Sequence, residues 1–100
     1  MQDKNQPYKL TKLARDDLLE IISYIAKDNK SATYEMKDKF LKAFSLISEN
    51  PNIGHKRENI LKSVRFWNVG KYSVIYSVEP KYIKIIRILH GYRDLFEIPN

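Results

Sequence analysis

Residues 82–89 read YIKIIRIL, and this stretch constrains the arrangement of the whole chain. Four of its residues are isoleucine, and β-branched side chains favour strands because they pack well on a pleated surface. Apolar side chains occupy both parities of the alternation, so both faces of the strand are expected to be buried. The stretch is therefore predicted to be a strand inside a sheet, with a neighbour on each side.

Two alternating stretches, residues 63–69 and 72–78, precede this strand and are predicted to be its partners. In the first of them, Val64 and Phe66 share one face. Gly70-Lys71 separates the two stretches and is short enough for a tight turn. The last three strands are therefore predicted to form an antiparallel meander.

From Lys12 onwards the apolar residues recur every three or four positions, as in an amphipathic helix, and two such stretches follow each other. The apolar positions are Ala14, Leu18, Ile21, Ile22 and Ile25, then Met36, Phe40, Ala43, Phe44 and Ile47. Thr11 is predicted to cap the first helix and Ser31 the second, since a hydroxyl accepts a hydrogen bond from an otherwise unpaired amide. Asn50-Pro51 is predicted to end the second helix, because proline disfavours helical geometry in the residue before it. The two helices are expected to pair as an antiparallel hairpin.

Residues 7–10 alternate between apolar and polar side chains, as a short strand does. The predicted fold class is therefore α+β, with a single domain over residues 1–100 built in two layers. The N-terminal strand and the three-stranded antiparallel meander form a small sheet, and the helical hairpin covers it.

The chain has 100 residues and no cysteine, which excludes a disulfide scaffold, a thiolate zinc site and a cysteine nucleophile. No stretch is typical of a membrane span or a signal peptide, and a cytoplasmic protein is expected. The net charge is +6, and residues 51–100 hold nine of the 18 basic side chains but only four of the 12 acidic ones. The predicted strands and their loops therefore carry the basic excess, which favours an anionic partner.

Metal and cofactor chemistry has little support in the sequence. The only histidines, His55 and His90, are far apart and lack carboxylates at the spacing of a known metal motif. Neither a glycine-rich phosphate loop nor a nucleophile elbow is present, so no metal, cofactor or covalent catalysis is expected. Asp16 and Asp17 are adjacent on a helix and are interpreted as solvated acids of its first turns.

Basic and aromatic side chains coincide on the predicted sheet, and two interpretations remain open. Arg65 shares a face with Trp67. In an alternating strand Lys84 and His90 would also share a face, and Arg87 would lie on the opposite one. Such a face suits RNA or an acidic protein. Alternatively it is a solvated sheet edge, with Trp67 packed under loop residues.

Residues 90–94, HGYRD, follow the last strand and combine an imidazole, a phenol, a guanidinium and a carboxylate. A ribonuclease could use such groups as base, phosphate-binding cation and acid. The spacing favours a structural role instead, with Arg93 paired to Asp94 and Tyr92 packed on the helices.

Several segments occur in an order and at a spacing that are more specific than any one of them. They are YKLT at 8–11, ARDDLLEI at 14–21, YIA at 24–26, NP at 50–51 with Gly54, VR at 64–65, VGKY at 69–72 and ILHGYRD at 88–94. With this pattern the sequence resembles the RelE/ParE superfamily of toxins from type II toxin–antitoxin systems, and most closely its ParE branch. The resemblance implies a helical hairpin packed against a small, mainly antiparallel sheet.

The two branches of this superfamily imply different functions. ParE-like toxins poison DNA gyrase by trapping its cleaved-DNA complex, and an antitoxin segment wrapped over the toxin surface neutralises them. RelE-like toxins are ribosome-dependent endoribonucleases that cut mRNA in the A site, and they rely on lysine and arginine side chains of the central strands.

This sequence departs from the RelE pattern at positions that matter for cleavage. Tyr72-Ser73 stands where RelE-like toxins have Tyr-Arg, and Val64 and Phe66 stand where they carry lysine. Arg93 matches the arginine at the end of the last strand, but the tyrosine expected a few residues later has no counterpart. A gyrase inhibitor without enzymatic activity is therefore expected, and the alternative is a RelE-type endoribonuclease. The residues of such a nuclease site would be Arg65, Lys71, Arg87, His90 and Arg93.

The expected partners are a ParD-like antitoxin and DNA gyrase with its DNA, in a toxin–antitoxin hetero-oligomer without membrane contact. The antitoxin's C-terminal segment is predicted to cross the hairpin and reach the sheet, with acidic residues facing Arg65, Arg87 or Arg93. The residues predicted to bind partners are Arg65, Trp67, Lys71, Arg87, His90, Tyr92 and Arg93.

Overall fold

Five strands form one sheet, and two helices cover one of its faces. The computed structural model describes residues 7–91. The elements in chain order are β1 (Tyr8–Leu10), α1 (Lys12–Asp28), α2 (Lys30–Glu49), β2 (His55–Lys56), β3 (Arg65–Val69), β4 (Tyr72–Val78) and β5 (Ile83–His90). The strand order is β1-β5-β4-β3-β2, so β5 lies inside the sheet, as its apolar sequence predicts.

The predicted α+β architecture is confirmed. β3, β4 and β5 form the antiparallel meander, and Gly70, with φ +60°, permits the two-residue turn between the first two of them. β1 joins β5 in parallel. The sequence did not predict β2, a two-residue strand that pairs with the start of β3, because two residues are too few to show an alternation.

Two side-chain caps fix the helical hairpin. Thr11 caps α1 as predicted, and its Oγ1 accepts a hydrogen bond from the amide of Ala14 at 3.0 Å. The prediction that Ser31 caps α2 is wrong, because Asn29 holds that position and accepts a hydrogen bond from an amide of the first turn at 3.1 Å. The Asn29 amide also donates to the Ile25 carbonyl at 3.0 Å. One residue therefore ends the first helix and starts the second.

The main core lies between the helices and the sheet. Its largest fully buried side chains are Phe40, Phe44, Ile47, Val74, Tyr76, Ile83 and Ile85. The Phe44 ring lies 5.3 Å from that of Tyr8, and the Phe40 ring lies 5.8 Å from that of Tyr72. Aromatic contacts thus join α2 to the edge strand β1 and to the inner strand β4. Neither α1 nor α2 combines the length and the hydropathy that a membrane-spanning helix needs.

A smaller apolar cluster lies on the sheet face away from the helices. Its buried members are Val64, Phe66, Ile75 and Leu89. Ile60 and Leu61, from the connection between β2 and β3, pack against it. The centre of this face is therefore dry, although no helix in the described part of the chain covers it.

The edge of β5 that β1 leaves uncovered is closed by side chains from the start of α1. β1 pairs only with the first three residues of β5. At the end of this pairing, Thr11 donates from its amide to the Ile85 carbonyl at 3.0 Å and from Oγ1 to the Ile86 carbonyl at 2.8 Å. The Asp17 carboxylate then accepts a hydrogen bond from the Ile88 amide at 2.9 Å. These two side chains take the place of a neighbouring strand.

Asp17 also binds Arg87 in a bidentate ion pair, with 2.8 Å to Nε and 3.0 Å to Nη2. The Asp17 side chain is only 12% exposed, so its interpretation as a solvated acid is wrong. Asp16 fits that interpretation, since it is 56% exposed and pairs with Lys12 on the surface. The two aspartates differ because the helix turns by about 100° from one residue to the next.

A β-bulge in β5 changes which of its side chains share a face. The register with β4 shifts there, and Ile86 is the extra residue. Lys84 therefore lies on the face away from the helices, whereas the His90 ring meets Tyr72 edge-on at 5.3 Å on the helix side. The prediction that Lys84 and His90 share a face is wrong, because the alternation is not preserved across a bulge.

Asp17→Ala is expected to lower the free energy of unfolding by about 1–3 kcal/mol, because the Ile88 amide and the Arg87 guanidinium lose their acceptor. Asp16→Ala is the matched control and should cost less than about 1 kcal/mol, since its ion pair is exposed. Urea unfolding followed by circular dichroism measures both. Equal losses in the two variants would contradict the role assigned to Asp17.

Candidate partner-binding surface

Arg65 is directed at the loop that follows α2. Its Nη1 donates to the Gly54 carbonyl at 2.8 Å and to the Asn52 carbonyl at 3.2 Å. A guanidinium group has five N–H donors, so these contacts occupy only part of its capacity. Arg65 therefore stabilises the loop, and a partner that binds it must share it with these carbonyl groups.

Tyr76 fixes the same loop from inside the core. Its hydroxyl donates to the Pro51 carbonyl at 2.8 Å and accepts a hydrogen bond from the Gly54 amide at 2.9 Å. Burial raises the pKa of this hydroxyl, and the Gly54 hydrogen bond and the charge of Arg65 offset part of the rise. A Cβ atom on Gly54 would lie 2.7 Å from the hydroxyl oxygen, so only glycine fits between these groups.

Arg87, the second arginine expected to face a partner, is held by Asp17. Its side chain is 30% exposed, and its Nε and Nη2 both donate to that carboxylate. The structure therefore gives Arg65 and Arg87 roles inside the fold, one at a loop and one at a helix.

Lys71 and His90 lie near each other at one end of the sheet. Lys71 is exposed in the turn between β3 and β4, and its carbonyl oxygen is 3.7 Å from the position of a Cβ on Gly91, the residue after His90. Gly91 has φ +61°, a backbone conformation that favours glycine. The other two candidates from this part of the sequence, Tyr92 and Arg93, lie outside the described residues.

Trp67 belongs to the margin of the main core. It is half-buried and packs against core residues on the helix side of the sheet. This position favours the packed interpretation of Trp67 over an open aromatic platform. The described candidates therefore do not converge on one site: Arg65, Arg87 and the pair Lys71 and His90 occupy three separate places.

The positions that the resemblance matches to the cations of RelE-like toxins are buried in this chain. Val64, Phe66 and Ser73 are 8%, 3% and 6% exposed, and all three lie on the face away from the helices. The Ser73 hydroxyl donates to the Asn68 side chain at 3.0 Å. Ile60 and Leu61 pack against the cluster that contains Val64 and Phe66, so a phosphate group does not meet an open, charged surface there.

Two lysines that were not among the predicted site residues lie side by side on this helix-free face. Lys9 and Lys84 are register partners on β1 and β5. The Lys9 Nζ lies 5.0 Å from the centre of the Tyr82 ring. The alternation of residues 7–10 and 82–89 places each lysine opposite the apolar face of its own strand. The sequence does not show that β1 pairs in parallel with β5, and only this pairing brings the two lysines together.

Tyr76→Phe is expected to lower the free energy of unfolding by about 1–3 kcal/mol, because it leaves the Gly54 amide and the Pro51 carbonyl without their partner. Because the folded-state pKa is raised above 10.0, the hydroxyl contributes fully below that pH and less as the pH rises through the folded-state value. Wild-type stability should therefore fall more steeply above pH 10 than that of Tyr76→Phe. Tyr24→Phe, at an exposed position, is the control for thermal unfolding across pH.

Comparison with known proteins gives consistent matches. The family model described as "ParE toxin of type II toxin-antitoxin system, parDE" matches residues 8–95. The fold is similar to a chain of the chromosomal ParDE toxin–antitoxin system of P. aeruginosa, with TM-score 0.75 and 20% identity over 89% of this chain and 99% of that chain.

A chain of the toxin–antitoxin complex RelBE2 of Mycobacterium tuberculosis is also similar, with TM-score 0.56 and 20% identity over 86% of this chain and 98% of that chain. A search of curated proteins finds no match. At such identities the solved structures support the fold, whereas the family model covers most of the sequence. The chain therefore belongs to the ParE toxin family of type II toxin–antitoxin systems.

Proposed function

We propose that this toxin inhibits DNA gyrase by direct binding, without catalysis of its own, and that a ParD-like antitoxin neutralises it. Membership of the ParE family supports the proposal. The observation that carries it is the dry apolar cluster at Val64 and Phe66, where a nuclease of the RelE type would place its cations.

Cleavage of RNA requires positive charge that is positioned to stabilise the phosphate in the transition state. Two arginines of the described strands are engaged elsewhere, Arg65 with loop carbonyl groups and Arg87 with Asp17. Because both are engaged in separate contacts within the fold, they support a toxin that acts by contact. The exposed Lys71, beside His90 at the end of the sheet, is the more accessible charge for a gyrase–DNA complex.

A supercoiling assay with purified gyrase, relaxed plasmid and purified toxin tests the proposal. We expect supercoiling to stop and cleaved DNA to accumulate, and both effects to disappear when the antitoxin is added. Unaffected supercoiling would refute the proposal. Primer-extension mapping of transcripts after toxin induction is the complementary measurement, since codon-linked cuts in the ribosomal A site would show the RelE-type endoribonuclease instead.

Lys71→Glu is expected to weaken gyrase inhibition about tenfold, because it reverses an exposed charge that is proposed to meet the gyrase–DNA complex. Lys37→Glu makes the same charge change at an exposed position of α2 and should leave inhibition within about twofold of wild type. The toxin concentration for half-maximal inhibition measures both. The same loss in the two variants would show that total charge matters and the position of Lys71 does not.

A further inference from the structure

A cleft of about 300 Å³ opens where the loop after α2 meets the start of β3 and the end of β4. Its polar lining includes Asn52, Lys56, Glu58, Ser63 and Arg65. A volume of this size lies at the lower end of the range for small-molecule sites. The cleft can therefore hold a small molecule and presents it with charged groups and hydrogen-bonding groups.

Two cations of this lining are neighbours. Lys56 and Arg65 are register partners on β2 and β3, so their side chains leave the same face of the sheet, and like charges in this arrangement repel each other. Within residues 7–91, neither side chain forms an ion pair, and the Lys56 ammonium has no hydrogen-bond partner. An anion bound in the cleft would offset the repulsion between the two cations.

Arg65 has donors left for such an anion. Its hydrogen bonds to the carbonyl groups of Asn52 and Gly54 both start from Nη1. The edge formed by Nε and Nη2 makes no hydrogen bond with the described residues. Arg87 uses the same edge of its own guanidinium to bind the Asp17 carboxylate. Since two parallel N–H donors suit a carboxylate or a phosphate, Arg65 can hold the loop and bind an anion at the same time.

The walls of the cleft are fixed before a ligand binds. Tyr76 and Arg65 hold the main chain of residues 51–54 by hydrogen bonds, and this loop forms one wall. Ser63, on another wall, has φ +65°, a backbone conformation that residues with a side chain rarely adopt and that is concentrated at ligand sites. A preformed site loses less conformational entropy when it binds its ligand.

Glu58, an acid, also lines the cleft, and it limits the kind of anion that fits. Its carboxylate forms no ion pair with Lys56 or Arg65. The carboxylate would repel a bare phosphate ion, whereas a hydroxyl group on a phosphate ester could donate a hydrogen bond to it. The lining therefore favours a ligand with a phosphate at one end and free hydroxyl groups beside it.

We propose that this cleft binds a small phosphate ester with free hydroxyl groups, such as a sugar phosphate or a nucleotide. The phosphate lies between the Lys56 ammonium and the Nε–Nη2 edge of Arg65, and Glu58 accepts a hydrogen bond from a ligand hydroxyl. The site is additional to the proposed contact with gyrase and does not depend on it. A phosphate within a DNA strand fits less well, because deoxyribose in the strand has no free hydroxyl for Glu58.

An NMR titration of the toxin with ribose 5-phosphate tests the proposal. The backbone amides of Lys56, Ser63 and Arg65 are expected to shift together and to reach saturation at millimolar ligand. Sodium chloride at the same ionic strength should not shift them, since screening by salt is not specific to this cleft. Absence of saturable shifts at these three amides would overturn the proposal.

Replacement of the exposed lysine gives an independent measurement. Lys56→Gln is expected to weaken the binding of ribose 5-phosphate about tenfold, because one of the two cations is lost. Lys37→Gln makes the same change at an exposed position of α2 and should stay within about twofold of wild type. Circular dichroism confirms that both variants fold. Equal affinities in the two variants would contradict the site.

Glu58→Ala separates a phosphate ester from other anions. The variant is expected to bind inorganic phosphate about threefold more tightly than wild type, because a repulsive charge is gone. It should not bind ribose 5-phosphate more tightly, because the ester also loses the acceptor of its hydroxyl group. An equal gain for both ligands would overturn the assignment to a phosphate ester. Tighter binding of a single-stranded DNA oligonucleotide than of ribose 5-phosphate at the same amides would overturn it in favour of nucleic acid.

Discussion

The Asp17 carboxylate makes the contact on which the placement of the helices on the sheet depends. It accepts hydrogen bonds from the Ile88 amide and from the Arg87 side chain, and so ties α1 to β5. Together with Thr11 it covers the strand edge that the short β1 leaves open. A buried amide without an acceptor costs free energy, so the position of the hairpin follows from this edge as much as from apolar burial. The fully buried part of α1 is correspondingly small, since Ala14 is its one buried residue.

The positive charge of the sheet divides into two groups. None of the five described strands contains a carboxylate, so strand cations find oxygen partners only on other elements. Arg87 has a helix carboxylate and Arg65 has loop carbonyl groups, whereas Lys9 and Lys84 remain on the helix-free face. An anionic partner can therefore reach Lys9 and Lys84 without competing with a carboxylate or a carbonyl group, which is not so at Arg87 or at the Nη1 of Arg65.

Local signals in the sequence predict the elements well, and the errors concern contacts between distant residues. Thr11 and the three strands of the meander follow from capping chemistry and alternation. Asn29 and Ser31 are both residues that commonly cap helices. Asn29 is the cap of α2 because α1 ends at the residue before it. Asp17 is largely buried and Asp16 is exposed because Asp17 faces the edge of β5, which lies some 70 residues away in the sequence. The partners of Arg65 are backbone carbonyl groups, which every residue carries, so its structural role has no sequence signature.

The extra residue in β5, Ile86, determines which of the side chains after it face the helices. Ile85 and Ile88 both enter the main core although they are three residues apart, because Ile86 is accommodated by the bulge. Strict alternation through all eight residues would turn Ile88 out of the core and reverse the face on which His90 leaves the sheet. Deletion of Ile86 would remove the bulge and still leave Ile88 facing the core, since alternation from Ile85 then places it on the helix side. The strand can therefore lose a residue at the bulge without redirecting the chain that follows, whereas loss of Ile88 would place Leu89 on the helix side and His90 on the other face.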